Sequence, residues 1–203
     1  MMVSTKKELD IFLSKLHKVE SPKIHLEQYT TPSHIVSKIL LWAHSYGDLL
    51  NKSICDLGCG SGVFAIGSAF LGAKKVTAVE KDPESIQIAK KNAEKSNVDI
   101  EFILSDVSSI FGEYDTVFQN PPFGTRIKHH DSLFLEKSLT ISKVTYSIHK
   151  SSKDVRDFIK RYVENLHCTI TNIVSMDFEI PRTYEFHKKK KYNVKIDVYR
   201  IVR

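Results

Sequence analysis

The chain has 203 residues, a length that predicts one domain with a substantial hydrophobic core. Its apolar fraction of 41% and charged fraction of 27% are ordinary for a globular protein and argue against an intrinsically disordered chain. The longest apolar run, around residues 39–43, is far too short to cross a membrane. The N-terminus lacks the apolar region of a signal peptide, so we expect a cytoplasmic protein.

The formal net charge of +6 favours a polyanionic partner without establishing one. The lysines are spread along the chain except for His187 and the lysines at 188–191 that follow it. That cluster is either a solvated turn or a patch that contacts phosphates. Cys55, Cys59 and Cys168 provide neither a disulfide framework nor the usual paired spacing of zinc ligands. We therefore predict no metal site, and we interpret Cys55 and Cys59 as small buried side chains.

Two helices are predicted before residue 50. Residues 5–8 have the form of a capping box. The apolar residues that follow recur at helical spacing, as Leu9, Phe12, Leu13 and Leu16. A second helix is expected to begin with Thr31 as N-cap and Pro32 as first helical residue. It should run to about Tyr46, where Gly47 provides the break.

From residue 51 onward the sequence alternates short apolar strands with amphipathic helices. Asp82 is expected to cap one of these helices and Asp131 or Ser132 another, and residues 155–166 carry a clear helical stripe. The predicted strands cover residues 53–57, 76–80, 100–104, 115–120, 144–148, 169–178 and 192–202. The last two strands have no helix between them and should pair antiparallel. The pattern predicts a Rossmann-like α/β fold, with a seven-stranded, mainly parallel sheet, one antiparallel strand and helices on both faces.

Gly58, Gly60 and Gly62 follow the first predicted strand, where they let the chain turn sharply against a ligand at a helix N-terminus. Position 63 is valine where the dinucleotide fingerprint requires glycine, so an NAD enzyme is disfavoured. A nucleotide-like ligand is still expected beside this turn.

Two carboxylates end neighbouring strands beside the glycine turn. Glu80 is placed to accept both hydroxyls of a ribose, and Asp106 to reach an adenine amino group. Taken singly, Glu80 is equally a helix-capping carboxylate and Asp106 an Asx turn. Their joint position at strand ends favours a ligand site.

The fourth predicted strand stops at Asn120-Pro121-Pro122-Phe123. Two successive prolines remove two backbone donors and fix two φ angles, so neither strand nor helix continues beyond Asn120. As an isolated pattern this segment is equally a plain turn. In open α/β sheets, however, ligands lie at the C-terminal ends of the strands, which is where Asn120 is held.

These motifs together resemble the class I S-adenosylmethionine-dependent methyltransferases. Within that class, the Asn-Pro-Pro-Phe motif is similar to that of enzymes that methylate adenine N6, or a glutamine amide when the last residue is Tyr. Over nearly the whole chain the sequence further resembles the methyltransferase-like protein 5 family, whose members N6-methylate one adenosine of small-subunit ribosomal RNA. The segments that carry this resemblance are Leu26–Thr31, Leu71–Ala73, Asn120–Thr125, Tyr146–Ser152 and Phe186–Lys190.

The resemblance implies a class I methyltransferase fold, S-adenosyl-L-methionine as cofactor and RNA adenine-N6 methyltransferase activity. The residues expected at the cofactor are Gln28, Thr31, Asp56, Gly58, Gly60, Ser61, Val63, Glu80, Asp106, Val107 and Asn120. We interpret residues 1–50 as an N-terminal helical extension that contributes to the cofactor site, and residues 51–203 as one compact Rossmann-like domain. The chain departs from the family at Glu80, whose longer reach changes its placement on the ribose. It also departs at Gln119, where the family tends to be apolar.

The expected chemistry starts from the exocyclic amine of adenine, which is a poor nucleophile because its lone pair is conjugated into the ring. The Asn120 side-chain oxygen and the Pro121 carbonyl would each accept one amine hydrogen and turn the lone pair towards the sulfonium methyl. Pro121 and Pro122 would keep both acceptors fixed. Phe123 would stack on the base, which must be flipped out or unpaired.

Basic residues in loops and after strand ends are expected to form an RNA-contacting rim: Arg126, Lys128, His149, Lys150, His187, Lys188, Lys189 and Lys190. No general base is needed before attack, because the product nitrogen loses its proton easily. His129, His130 and His149 are therefore interpreted as loop or surface residues.

The family resemblance also implies a partner, a small zinc-binding activator protein that extends one edge of the sheet. Two alternative functions stay open at this point. One is a protein glutamine-N5 methyltransferase that uses the same motif, and the other is a non-catalytic RNA-binding or ribosome-assembly factor on a methyltransferase fold.

Overall fold

The computed structural model of the chain describes residues 5–19, 23, 30–122, 130–181 and 191–203. Its helices are α1 (Lys6–Ser14), α2 (Ser33–Ser45), α3 (Val63–Phe70), α4 (Pro83–Lys95), α5 (His130–Ile141) and α6 (Lys153–Asn165). Its strands are β1 (Ser53–Leu57), β2 (Lys75–Glu80), β3 (Glu101–Leu104), β4 (Tyr114–Gln119), β5 (Ser142–Lys150), β6 (Thr169–Pro181) and β7 (Lys191–Val202). Among the described residues, no helix is long and apolar enough to cross a membrane.

The strands form one seven-stranded sheet in the order β3-β2-β1-β4-β5-β7-β6. The pairs from β3 to β5 are all parallel, whereas β7 runs antiparallel to both β5 and β6. The predicted fold is therefore confirmed, including the antiparallel pairing of the last two strands. The arrangement brings the C-terminal ends of β1, β2 and β4 together at one edge of the sheet, where such folds bind ligands.

The two faces of the sheet are covered by different helices, as the alternation of side chains along each strand requires. On one face, Ile54 and Phe118 pack in a cluster that includes residues of α1, α2, α3 and α4. On the other face, Cys55 and Val117 pack beside Ile141 of α5, and a neighbouring cluster joins α5 to α6. Cys55 and Cys59 are both buried, as predicted.

The helix starts depend on local capping groups. Thr5 and Glu8 form the predicted capping box at α1, and Asp82 caps α4 by accepting from Ser85. Two predicted starts are wrong. Pro32, rather than Thr31, occupies the N-cap of α2, because the Pro32 carbonyl accepts the first helical bonds. Helix α5 begins at His130, so Asp131 and Ser132 lie inside it and do not precede it.

The N-terminal helices are joined to the sheet through a shared hydrophobic core, in which Leu9 and Leu13 are buried. The ring of Phe12 stacks on Phe70 of α3, with centroids 3.9 Å apart. Beyond α1, the chain is held by Asn92 of α4, whose amide bonds both the backbone N–H and the carbonyl of His17. These contacts bring residues 17–19 beside the glycine turn.

Candidate active site

An open cavity lies at the C-terminal ends of β1, β2 and β4, between the glycine turn and the Asn-Pro-Pro segment. It brings together the predicted residues Thr31, Asp56, Gly58, Gly60, Ser61, Val63, Glu80, Asp106, Val107, Asn120, Pro121 and Pro122. Two further predicted residues, Gln28 and Phe123, lie outside the described residues. The topology thus places both halves of the predicted site around a single cavity.

The glycine turn is held in shape by hydrogen bonds from its own backbone. The N–H groups of Gly58 and Cys59 both donate to the Val79 carbonyl, at 2.9 Å each. Gly58 and Gly60 have φ angles of 72° and 54°, in the left-handed region that favours glycine. A Cβ placed on Gly60 would meet no atom within 4 Å. At Gly60 the backbone itself therefore faces open space, as close approach of a ligand to the turn requires.

Glu80 supports this turn as well as lining the cavity. Its Oε2 accepts from the Gly60 N–H, and its Oε1 accepts from the N–H groups of Lys81 and Asp82, each at 2.9 Å. A carboxylate offers about four acceptor sites, so these bonds leave room for one more. The predicted acceptance of two ribose hydroxyls therefore requires one backbone N–H to be released. The alternative interpretation of Glu80 is a helix-capping carboxylate. The structure agrees in part, because its bonds to Lys81 and Asp82 hold the chain just before α4.

Asp106 forms the Asx turn that was its alternative interpretation. Its Oδ1 accepts from the backbone N–H of Ser108 at 3.0 Å and from the Ser108 hydroxyl at 2.7 Å. The residue is nevertheless exposed at the cavity, beside the buried Val107. A role in positioning the turn and a role in contacting a ligand are compatible in this geometry.

Asp56 is a buried carboxyl at the floor of the cavity. Its Oδ2 accepts from the Ala65 N–H of α3 at 2.9 Å. Burial raises the pKa of Asp56 to about 7, and the nearby Glu80 charge adds to the rise, against the lowering effect of the Ala65 hydrogen bond. A cationic group that entered the cavity would favour the ionised form of Asp56. This carboxyl is thus suited to a ligand that carries an ammonium group.

Asn120 is the polar centre of the other half of the site. Its Nδ2 donates to the Thr31 hydroxyl oxygen at 2.9 Å. Its Oδ1 is enclosed and has no hydrogen-bond partner among the described residues. A buried acceptor without a donor costs roughly 1–3 kcal/mol, so an unpartnered amide oxygen at a cavity is suited to a ligand that brings an N–H or O–H group. The amine of adenine is such a donor.

Sequence reasoning missed several residues that the fold brings to this cavity: Val19, Thr30, Cys59, Phe64, Lys81, Ser85, Leu133 and Phe134. Phe134 lies in α5, and its ring packs against Gly58. A Cβ on Gly58 would come 3.0 Å from that ring. Leu133, which is 36% exposed, precedes Phe134 in the same helix. No pattern in the sequence separates these residues from ordinary core positions.

The predicted RNA rim is changed at one residue. His149 is 4% exposed within β5, and burial lowers its pKa to about 4. Its side chain belongs to a buried network of hydrogen bonds. In this network Gln119 Nε2 donates to the Ser147 hydroxyl, and that hydroxyl lies 2.6 Å from His149 Nε2. The predictions of His149 as a surface residue and as an RNA contact are therefore wrong. Lys150 is exposed at the end of β5.

The remaining residues of the predicted rim, Arg126, Lys128 and His187 to Lys190, lie outside the described residues. Among the residues that are described, no group of His, Cys, Asp and Glu side chains is arranged to hold a metal ion.

Comparisons with known proteins agree with this geometry. Residues 35–140 match the methyltransferase small domain family. The chain is 36% identical over 204 residues to the rRNA N6-adenosine methyltransferase METTL5 of Danio rerio, covering 96% of this chain and 97% of that protein. It superposes on the crystal structure of a candidate RNA methyltransferase from Pyrococcus horikoshii with a TM-score of 0.93 and 40% identity, over 100% of this chain and 99% of the other. Similarity to a candidate protein N5-glutamine methyltransferase of Methanocaldococcus jannaschii, at 33% identity, covers 50% of each chain.

Proposed function

Because the chain belongs to the METTL5 family of rRNA N6-adenosine methyltransferases, we propose that it methylates N6 of an adenosine in ribosomal RNA. S-adenosyl-L-methionine is the cofactor, and small-subunit RNA is the substrate that the family resemblance implies. The observation that carries the proposal is the Oδ1 of Asn120, which has no hydrogen-bond partner in the described part of the chain and belongs to a residue that lines the same cavity as the glycine turn. A cytoplasmic place of action is part of the same proposal.

The described residues suit S-adenosylmethionine in three respects. The open backbone at Gly60 admits a ligand against the turn, and the Glu80 carboxylate keeps one acceptor site for a ribose hydroxyl. Asp56, once ionised, provides the negative charge that an ammonium group requires. When bound, the cofactor supplies an electrophilic methyl group on a sulfonium centre.

The protein's part in the reaction is to orient the amine. Asn120 Oδ1 accepts one hydrogen of the adenine amino group, and the Pro121 carbonyl accepts the other. Two acceptors on one side of the nitrogen turn its lone pair towards the cofactor, and the rigid proline pair holds both acceptors in place. The amine loses its proton after methylation, so none of the chain's residues is required as a base.

The proposal is tested by incubating the purified protein with methyl-labelled cofactor and either deproteinised small-subunit RNA, large-subunit RNA or a protein extract, followed by nucleoside and amino-acid analysis. Label in N6-methyladenosine from small-subunit RNA is expected. Label in methylglutamine supports the alternative glutamine methyltransferase, and the absence of any label supports a non-catalytic assembly factor. Either of these two results overturns the proposal.

Two variants sharpen this experiment. Asn120→Ala should reduce turnover by about 100-fold or more while leaving cofactor affinity near that of the wild type, because it removes an acceptor used in the transition state. Asn165→Ala is the matched control, since this asparagine is exposed at the end of α6. Equal activity in the two variants would contradict the assigned role of Asn120.

For the activator protein that the family resemblance implies, the β3 edge of the sheet is the edge that we propose. Strand β3 ends the sheet on one side. Leu104, the last residue of β3, is 57% exposed. In the segment between β3 and β4, Phe111 is 82% exposed, and the Lys137 ammonium lies 4.9 Å from its ring centroid. An exposed apolar side chain on an unpaired strand edge is suited to a partner that adds a strand.

The edge assignment is tested by co-expression with candidate small zinc-binding proteins and measurement of soluble complex. Leu104→Asp should abolish complex formation, whereas Ile173→Asp, at the exposed face of the opposite edge strand β6, should not. Loss of the complex in the β6 variant alone would place the partner at the other edge. If the wild-type protein, with both edges intact, forms no complex with any candidate, the activator partner is removed from the proposal.

A further inference from the structure

We propose that Thr31 is a positioning residue for methyl transfer, because it decides whether the donor end or the acceptor end of the Asn120 amide is left for the target amine. The two side chains are joined by one hydrogen bond, from Asn120 Nδ2 to Thr31 Oγ1, at 2.9 Å. Thr31 is 8% exposed and lines the same cavity as Asn120. Its hydroxyl does not cap α2, since Pro32 holds that position without a side-chain hydrogen bond. The Thr31 hydroxyl is therefore left to serve the amide.

The direction of this bond matters because a carboxamide has a donor end and an acceptor end of nearly equal size. With Nδ2 bound to Thr31, Oδ1 is left without a partner in the described part of the chain. If the amide were reversed, Oδ1 would accept from the Thr31 hydroxyl and Nδ2 would take the place of the acceptor. An N–H group there would meet the N–H groups of the target amine and repel them. One amide orientation supports the reaction and the other opposes it.

A threonine hydroxyl alone does not choose between these orientations, because it both donates and accepts. The orientation of the Asn120 amide is decided by the group that accepts the hydrogen bond from the Thr31 hydroxyl. No acceptor for it lies among the described residues, and Thr31 lines the cavity that also contains Gly58 and Glu80. When a bound ligand accepts that hydrogen, the Thr31 oxygen can only accept, and Asn120 must donate to it. Ligand binding then sets Oδ1 towards the amine.

This inference rests on the proposed function, and it adds a coupling between the two halves of the site. The cofactor and the target base would bind to the same cavity, and Thr31 would link the cofactor's presence to the orientation of Asn120. The link is a single hydroxyl, so a side chain of the same shape without that hydroxyl should break it.

The test compares Thr31→Val, which keeps the shape and removes the hydroxyl, with Thr31→Ser, which keeps the hydroxyl. Cofactor affinity is measured by calorimetry on the full chain, and kcat is measured at saturating cofactor and RNA. For Thr31→Val we expect kcat to fall by about tenfold, the worth of one neutral hydrogen bond, with a smaller change in cofactor affinity. Thr31→Ser should recover most of the wild-type kcat.

A second measurement reports on the hydrogen bond without catalysis. In the ¹⁵N-labelled full chain, the Asn120 side-chain amide signals are identified by their loss in Asn120→Ala. The Thr31→Val change should shift them and increase their exchange with water, and Thr31→Ser should leave them close to wild type. Addition of the cofactor product, S-adenosylhomocysteine, should slow their exchange in the wild type and not in Thr31→Val.

Three results would overturn the positioning role. They are a wild-type kcat for Thr31→Val at saturating cofactor, a Thr31→Ser variant as slow as Thr31→Val, and amide signals that Thr31→Val leaves unmoved. A wild-type protein that methylates no RNA would instead refute the proposed function, and the amide signals would still decide the inference. If the wild type methylates a protein amide, the same kcat comparison is made on that substrate.

Discussion

Asn92 is the residue whose removal should reveal how the N-terminal segment supports the cofactor side of the cavity. It is fully buried on the inner face of α4 and uses its whole amide. Its Oδ1 accepts from the His17 N–H at 2.8 Å, and its Nδ2 donates to the carbonyls of His17 and Ser61 at 2.9 and 3.0 Å. One side chain thus joins the chain that follows α1 to the glycine turn.

The cost of Asn92→Ala can be estimated from these bonds. Each neutral hydrogen bond contributes about 1 kcal/mol net, so the three together contribute about 3 kcal/mol. His17 is exposed, so water can replace part of its two bonds, whereas Ser61 is buried and its carbonyl loses its donor. Alanine is the better helix former by about 0.5 kcal/mol. We therefore expect a net loss of about 2 kcal/mol in the free energy of unfolding.

The loss is measured by urea denaturation of the apoprotein, with cofactor affinity measured by calorimetry on the same samples. A loss of this size lowers the melting temperature of a chain this long by about 4–8 °C. Cofactor binding should weaken several-fold, because the Ser61 side of the turn and Val19 both line the cavity. Lys91→Ala is the control, since Lys91 is exposed on the same helix. An effect below about 0.5 kcal/mol, the range of ordinary surface substitutions, would refute the reasoning.

Two further predictions concern Asp56 and Gly67. Because the pKa of Asp56 in the folded protein is raised to about 7, folding favours its protonated form, and its contribution to stability declines as the pH rises from about 4 through 7. Asp56→Asn should remove about 2–3 kcal/mol of that decline between pH 5 and pH 8 in urea titrations of the apoprotein, and an unchanged pH dependence would contradict the raised pKa. Gly67→Ala should destabilise the fold by about 1–2 kcal/mol despite the better helix propensity, because its Cβ would lie 2.4 Å from Leu40 Cδ1 and 3.3 Å from Leu13 Cδ2. In a Leu40→Ala background the same change should lose most of its cost, and an equal cost there would rule out the contact with Leu40 as the cause.

The fold could be predicted because its signals are local. Apolar strands and helical stripes alternate in the sequence, and the carboxyl ends of parallel strands meet at one edge whatever the detailed packing. That is sufficient to bring Gly58, Glu80 and Asn120 together. The predicted start of α2 failed because of a partner elsewhere in the chain: the Thr31 hydroxyl bonds Asn120 and does not cap the helix.

His149 shows why exposure was harder to predict than topology. The predicted fifth strand ended at Ile148, which left His149 in a loop, but pairing with β7 continues through His149 and Lys150. The return of β7 between β5 and β6 covers the histidine, and a strand that arrives from residues 191–202 leaves no signal near residue 149. Asn92 was missed for a related reason, since its partners are backbone groups of His17 and Ser61 that any sequence would offer.

The contacts of Asn92 and Thr31 connect the N-terminal segment to two different parts of the site. Asn92 holds His17 against the side of the glycine turn, and Thr31 holds the amide of Asn120. The first contact touches groups that would hold the cofactor, and the second touches the acceptor of the target amine. Loss of the first should therefore raise the dissociation constant of the cofactor, and loss of the second should lower kcat at saturating cofactor. If the segment acted as a single rigid unit, either substitution would change both quantities to the same extent. Unequal effects, larger on affinity for Asn92 and larger on kcat for Thr31, therefore distinguish two local contacts from one closing element.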